Sequence, residues 1–245
     1  MPLANSKIPY AVAMATPRDT RAMESRDSSS RSIPPAVFRD RSTDEPLQSA
    51  RAWSEPLRGD WVASRLAAKR AAAALLAQSG RAPKEIDIVR AGCDGRAGQA
   101  VIAQQIAALT PTRVLRVPLS LSISLSHVDG HAIAAAAQHP ARIGVDLERD
   151  GQIAPAHAHY FLSSRERRDQ GARTLTELWA LKESAWKALG CDDTTPFRDL
   201  ELVIDAGGCL RAVRLGATVF PAMAELRHPW PGWVAAILLL QGIAA

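Results

Sequence analysis

Ile143-Gly144-Val145-Asp146-Leu147-Glu148 is the stretch from which the rest of the chain can be read. Its apolar residues, Ile143, Val145 and Leu147, alternate with Gly144, Asp146 and Glu148. A period of two predicts a strand with one apolar and one acidic face. Adjacent carboxylates repel, and each raises the pKa of the other unless a cation neutralises them. A hard divalent ion such as magnesium suits the pair, because it takes carboxylate and phosphate oxygens and keeps some water. The alternative is a solvent-facing acidic strand edge, paired with Arg142 or Arg149.

Downstream, Trp179-Ala-Leu-Lys-Glu-Ser-Ala-Trp-Lys187 lies within a helical pattern over 175–189, with Leu178, Ala185 and Leu189 on the buried stripe and Gly190 as its stop. Glu183 and Lys187 share a face at i and i+4, which makes either a site pair or an ordinary salt bridge of ~0.3–0.5 kcal/mol. Trp179 and Trp186 read as core. Upstream, a second helix is predicted over 61–78, capped by Asp60 and stopped by Gly80. Its Arg65 and Lys69, again at i and i+4, repel unless an anionic ligand or solvent relieves them.

Extended segments are predicted over 85–89 and 114–125, with buried strands over 131–138 and 233–240. The last is too short to span a bilayer as a helix. Ser126-His127 ends an apolar strand before the turn Val128-Asp129-Gly130, where the imidazole can donate to a phosphate oxygen or merely close the turn. A weak repeat is visible: 126–138 and 224–241 each run from a histidine through a glycine turn into an apolar strand ending in Gln, and each follows a long helix. Two similar halves of an α+β fold are the expectation.

The 245 residues suffice for one large domain or two modest ones. The first fifty alternate serine with charge over 25–32 and then carry Pro34-Pro35, so 1–50 is expected to be an irregular arm, with halves over 51–143 and 144–245. The apolar run Ile8 to Ala15 is short, contains Pro9 and is preceded by one cation, which makes it a poor signal peptide. Cys93, Cys191 and Cys209 lack the spacing of a disulfide framework or a zinc site, and a reducing cytoplasm is the expected compartment. The net charge of +5 favours anionic partners without choosing among them. Nucleic acid is not expected, because interleaved aromatics for base stacking are missing.

Taken in order, these segments closely resemble one family. Gly144-Val-Asp-Leu-Glu148 followed by Trp179-Ala-Leu-Lys-Glu-Ser-Ala-Trp-Lys187 resembles the two signature motifs of the Sfp-type 4′-phosphopantetheinyl transferases. Ser-Leu-Ser-His127 is similar to that family's strand motif ending in Ser-His, Trp61-Val-Ala-Ser-Arg-Leu-Ala-Ala-Lys69 to its first long helix, and Phe161-Leu-Ser-Ser-Arg-Glu166 to a smaller motif between the signatures. The resemblance covers roughly 61–190. It implies two pseudo-symmetric α/β halves with the active site in the cleft between them, acting as a monomer away from membranes. It also implies magnesium-dependent transfer of 4′-phosphopantetheine from coenzyme A to a serine of an acyl or peptidyl carrier protein. Carried over by motif, Asp146, Glu148 and Glu183 are the metal ligands, and Glu183 or Glu166 is the base. Lys187, Ser126 and His127 meet phosphate, while Arg65 and Lys69 approach the nucleotide end. Two positions depart from the family: Gly95-Arg96-Ala97 stands where Gly-Lys-Pro is usual, leaving Arg96 as the cation, and Ser124 replaces an Asn. These departures leave open a second expectation, a transferase-like protein that binds coenzyme A or a carrier without catalysis.

Overall fold

The computed structural model describes residues 8–19, 55–78, 86–90, 100–107, 114–118, 121–168, 173–191 and 194–241, with positions 55–58, 61, 86–90, 100–107 and 114–118 described by their backbone alone. They fall into two units, Tyr10–Ala136 and Ala137–Ala245, the latter joined by Met1–Pro9. Among the described residues, no helix is long and apolar enough to cross a membrane.

In the first unit, alanine dictates the packing. Helix α1 (Glu55–Gln78) buries Ala63, Ala67, Ala68, Ala71, Ala72, Leu75 and Leu76 against a sheet. The facing residues are Ala11 and Ala15 of β1 (Tyr10–Ala15), Ile123 of β5 (Leu121–Val128), and Ala132, Ala134 and Ala136 of β6 (His131–Gln138). Small side chains on both surfaces let the helix lie close to the strands. The sheet is completed by β2 (Ile86–Arg90), β3 (Ala100–Ala107) and β4 (Val114–Pro118), in the order β1-β6-β5-β3-β2 with β4 on β3.

Two expectations need correction here. Part of the supposed arm, Tyr10–Ala15, is the strand that pairs with β6; its small alternating residues gave too little hydrophobic contrast to register. The helix also begins at Glu55, so Asp60 is an interior residue and not its cap. Pro56 sits in the first turn, where its missing N–H costs nothing. The expected stop Gly80 lies outside the described residues, and the extended segment over 114–125 resolves into β4 and β5.

The second unit repeats the scheme with bulkier residues. Its strands β7 (Arg142–Arg149), β8 (Leu200–Ile204), β9 (Leu210–Leu215), β10 (Thr218–Arg227) and β11 (Trp233–Leu240) form an antiparallel sheet in the order β7-β11-β10-β9-β8. Short helices α2 (Ala158–Phe161) and α3 (Ser164–Arg168) precede the long α4 (Leu175–Leu189). Helix α4 has the predicted span because both ends are chemically marked. Thr174 and Glu177 form a reciprocal capping box, and Gly190 takes the left-handed conformation at φ 70°. Leu178, Leu181, Ala185 and Ala188 pack with Val234, Ala236, Leu238 and Leu240 of β11. Each unit is thus a long helix on an antiparallel sheet, and the molecule is α+β with two α/β halves.

Candidate metal centre

At Gly144, strand β7 meets helix α4 with no side chain between the two backbones. A Cβ on Gly144 would fall 1.8 Å from the Ser184 carbonyl oxygen and 2.9 Å from the Ala188 nitrogen. Only glycine fits there. The period of two then points Asp146 and Glu148 toward the same helix face that Gly144 meets.

The result is a cluster. Carboxylate oxygens of Asp146, Glu148 and Glu183 all lie within 4.8 Å of one another. Asp146 is 1% exposed, whereas Glu183 and Lys187 keep 26% and 24% of their side chains in solvent, so the group opens on one side. The Lys187 ammonium donates to Asp146 Oδ1 at 2.7 Å and to the Val145 carbonyl at 3.2 Å, and lies 3.2 Å from Glu183 Oε2. The Trp179 indole N–H donates to Glu148 Oε1 at 2.9 Å, while its ring packs edge-on against Phe161 and beside Phe197, each with centroids 5.1 Å apart.

The electrostatics show a deficit of positive charge. Burial and the neighbouring Asp146 push Glu148 up to about 7, against the Trp179 hydrogen bond that pulls it down. Burial and the hydrogen bond and charge of Asp146 push Glu183 up to about 8. Burial works against the Lys187 ammonium, but Asp146 and Glu183 outweigh it and hold its pKa above the usual lysine value. One ammonium does not balance three carboxylates, and Glu148 and Glu183 are held above the usual carboxylate range. An oxygen-only donor set, partly open and short of positive charge, fits a hard divalent cation.

Other sequence-selected residues lie elsewhere. Glu166, expected as an alternative base, is turned inward. Its Oε2 accepts from the Ser163 N–H and the Lys182 ammonium, each at 2.8 Å, and its Oε1 accepts from the Leu202 N–H at 2.9 Å. With both oxygens engaged and the residue 7% exposed, it is a buried acceptor, apart from the three clustered carboxylates. A cavity of about 740 Å³ adjoins Glu166, Arg165 and Arg173 but is lined by none of the three clustered carboxylates. In the first unit, Ser124 and Ser126 are buried on one face of β5. The His127 imidazole Nδ1 stands 3.7 Å from Asp60 Oδ2, with 42% of its side chain exposed. Asp60 also accepts from the Gly130 N–H, which ties α1 to the β5–β6 turn. Arg65 and Lys69 are half-buried on α1, and Arg96 lies outside the described residues.

Residues 142–237 match the sequence model of a family described as the 4′-phosphopantetheinyl transferase superfamily. That segment lies within the second unit. It contains every member of the carboxylate cluster together with Lys187. Among solved structures, the chain is similar to a Thermotoga maritima holo-[acyl-carrier-protein] synthase at 22% identity over 40% of this chain, with a TM-score of 0.34. It spans 62% of the length of that protein. A Bacillus anthracis holo-(acyl-carrier-protein) synthase in complex with CoA (3′,5′-ADP) is similar at 23% identity, over 40% of this chain and 94% of the other, with a TM-score of 0.33. The Mycobacterium tuberculosis acyl carrier protein synthase is 29% identical, over 41% of this chain and 96% of its own, with a TM-score of 0.31. No curated protein matches the chain.

Sequence reasoning singled out the cluster but missed what holds it. Trp186 is core as expected, stacked on Phe197, but Trp179 was read only as core, and Lys182 and Ser184 drew no attention. The Ser184 hydroxyl donates to the Ala236 carbonyl at 3.0 Å, inside the core. Local spacing gives no sign of these partners, because each belongs to another element.

Proposed function

We propose that the protein is an Sfp-type 4′-phosphopantetheinyl transferase that moves the phosphopantetheine arm of coenzyme A onto a serine of an acyl or peptidyl carrier protein. The observation that carries this reading is the convergence of Asp146, Glu148 and Glu183 from a strand and a helix of the superfamily segment, with Lys187 beside them.

Asp146, Glu148 and Glu183 would hold magnesium, which when bound supplies positive charge that keeps the glutamates ionised and neutralises the pyrophosphate oxygens. Lys187, on the open side of the cluster, steadies the same oxygens. The carrier serine hydroxyl attacks the phosphorus that bears pantetheine, Glu183 accepts the hydroxyl proton, and the pyrophosphate P–O bond breaks to release 3′,5′-ADP. His127, with Asp60 behind it, and the cations Arg65 and Lys69 meet the phosphates of coenzyme A. Arg96 takes the place of the family's lysine. An acidic carrier suits a chain of net charge +5, since complementary fields speed encounter.

Incubation with coenzyme A, magnesium and a panel of apo-carriers, read by intact mass, tests the proposal. The expected result is one added phosphopantetheine per carrier and an equal release of 3′,5′-ADP. Coenzyme A binding without transfer to any carrier would establish the non-catalytic alternative.

A further inference from the structure

We infer that Glu166 and Lys182 are positioning residues that set the rotation of α4 and thereby place Glu183 in the carboxylate cluster. The inference rests on the metal reading above and goes beyond it.

Lys182 is the residue before Glu183 on α4, and its side chain is 0% exposed. A buried ammonium is costly unless it is paired, and here its partner is Glu166 Oε2 at 2.8 Å. A buried ion pair is poor value as a stabiliser, because two well-packed apolar residues in its place are often as stable or more so. Its place in the core, bridging three elements, points to a geometric role. Glu166 is itself held by the Ser163 and Leu202 amides, so the pair fastens α4 at once to α3 and to β8.

Adjacent residues on a helix point about 100° apart. Lys182 therefore projects toward β8 and α3 while Glu183 projects toward β7. Contact of Gly144 with Ser184 fixes how near α4 lies to β7, and Ser184, Lys187 and Trp179 tie the same side of the helix to β11 and β7. An arm fixed on the other flank, one residue from Glu183, completes the restraint on rotation about the helix axis. Donor sets of this kind tolerate errors of only about 0.5 Å or 10–20°, a range that a small rotation of the helix exhausts.

The test reads metal affinity with Mn²⁺ alone as probe, by its electron paramagnetic resonance signal, so that it does not depend on turnover. Wild-type protein is expected to bind Mn²⁺; absence of binding would overturn the metal reading and this inference together. The double variant Glu166→Gln/Lys182→Met removes both charges at once and should bind Mn²⁺ roughly 10–100-fold more weakly, the usual effect of losing support behind metal ligands. Unchanged affinity in a variant with wild-type circular dichroism would overturn the inference alone. A measurement on the wild type needs no variant to fold: coupling is reciprocal, so Mn²⁺ should slow hydrogen exchange of the Ser163 and Leu202 amides more than that of Leu226 in β10. Equal slowing at all three would likewise overturn it.

Discussion

Asp146 is the residue on which the cluster turns, since it hydrogen-bonds Lys187 and raises both Glu148 and Glu183. Asp146→Ala should abolish transfer in a protein that still folds, and Glu183→Gln should lower turnover by roughly a hundredfold, as for lost acid–base groups; both are read in the mass assay beside a melting curve. Trp179→Phe is a subtler probe. It keeps the ring contacts with Phe161 and Phe197 but removes the donor to Glu148, and a hydrogen bond to a charged group contributes about 1.5–3 kcal/mol. Mn²⁺ affinity should fall, and the metal-free melting temperature should fall as well because the bond is present without metal; titration calorimetry and circular dichroism would check the two. The four clustered residues were legible because strand period and helix spacing are local signals. Lys182 was not, because its partner Glu166 is sixteen positions away on a separate helix. The role of Asp60 was hidden likewise: its contact with Gly130 spans seventy positions.

Between elements, distance is set by backbone meeting backbone. Gly144→Ala would drive a methyl into the Ser184 carbonyl, and forced overpacking costs about 1–3 kcal/mol or more. A lowered melting temperature and weakened Mn²⁺ binding are expected together, whereas Gly151→Ala, at an open turn, should show only its local φ strain. A second tie joins the end of β1 to α1, where Arg70 donates to the Met14 carbonyl and to Asp19. The Arg70 guanidinium, helped by the Thr16 hydroxyl and amide, holds the Asp19 carboxyl below its usual 3.8 against a modest burial effect. A depressed carboxyl stabilises above the unfolded pKa and loses that contribution as pH falls through the folded value. Asp19→Asn should therefore flatten the acid limb of stability below about pH 4, by less than about 1 kcal/mol for so exposed a pair. Calorimetry across that range would show it. Helix α4 was readable in sequence because Leu178, Ala185 and Leu189 keep a helical stripe that Gly190 ends, whereas the start of α1 was not, since Glu55-Pro-Leu-Arg-Gly carries no apolar period.

At the scale of the molecule, the weak repeat in sequence corresponds to two hairpins, β5–β6 and β10–β11, each following a long helix that lies on its sheet. The halves were legible in outline, but their boundary was expected at 143/144 and the compact units part at 136/137, because β6 and β7 follow one another with little punctuation. All three clustered carboxylates belong to the second unit, so magnesium should act as a stabiliser of that unit. At a hundred times its dissociation constant, a ligand adds about 2.7 kcal/mol. Melting should move upward with magnesium and return on chelation; an unmoved transition in both arms would place metal binding outside the folded protein. The first unit differs in a way that bears on its future under mutation. Its helix and strands meet through alanines such as Ala67, Ala71, Ala132 and Ala134, each fully buried. Such a contact has no room to gain and little to spare: truncating a helical alanine to glycine costs about 1 kcal/mol, while any added methylene wedges the helix off the sheet that carries His127.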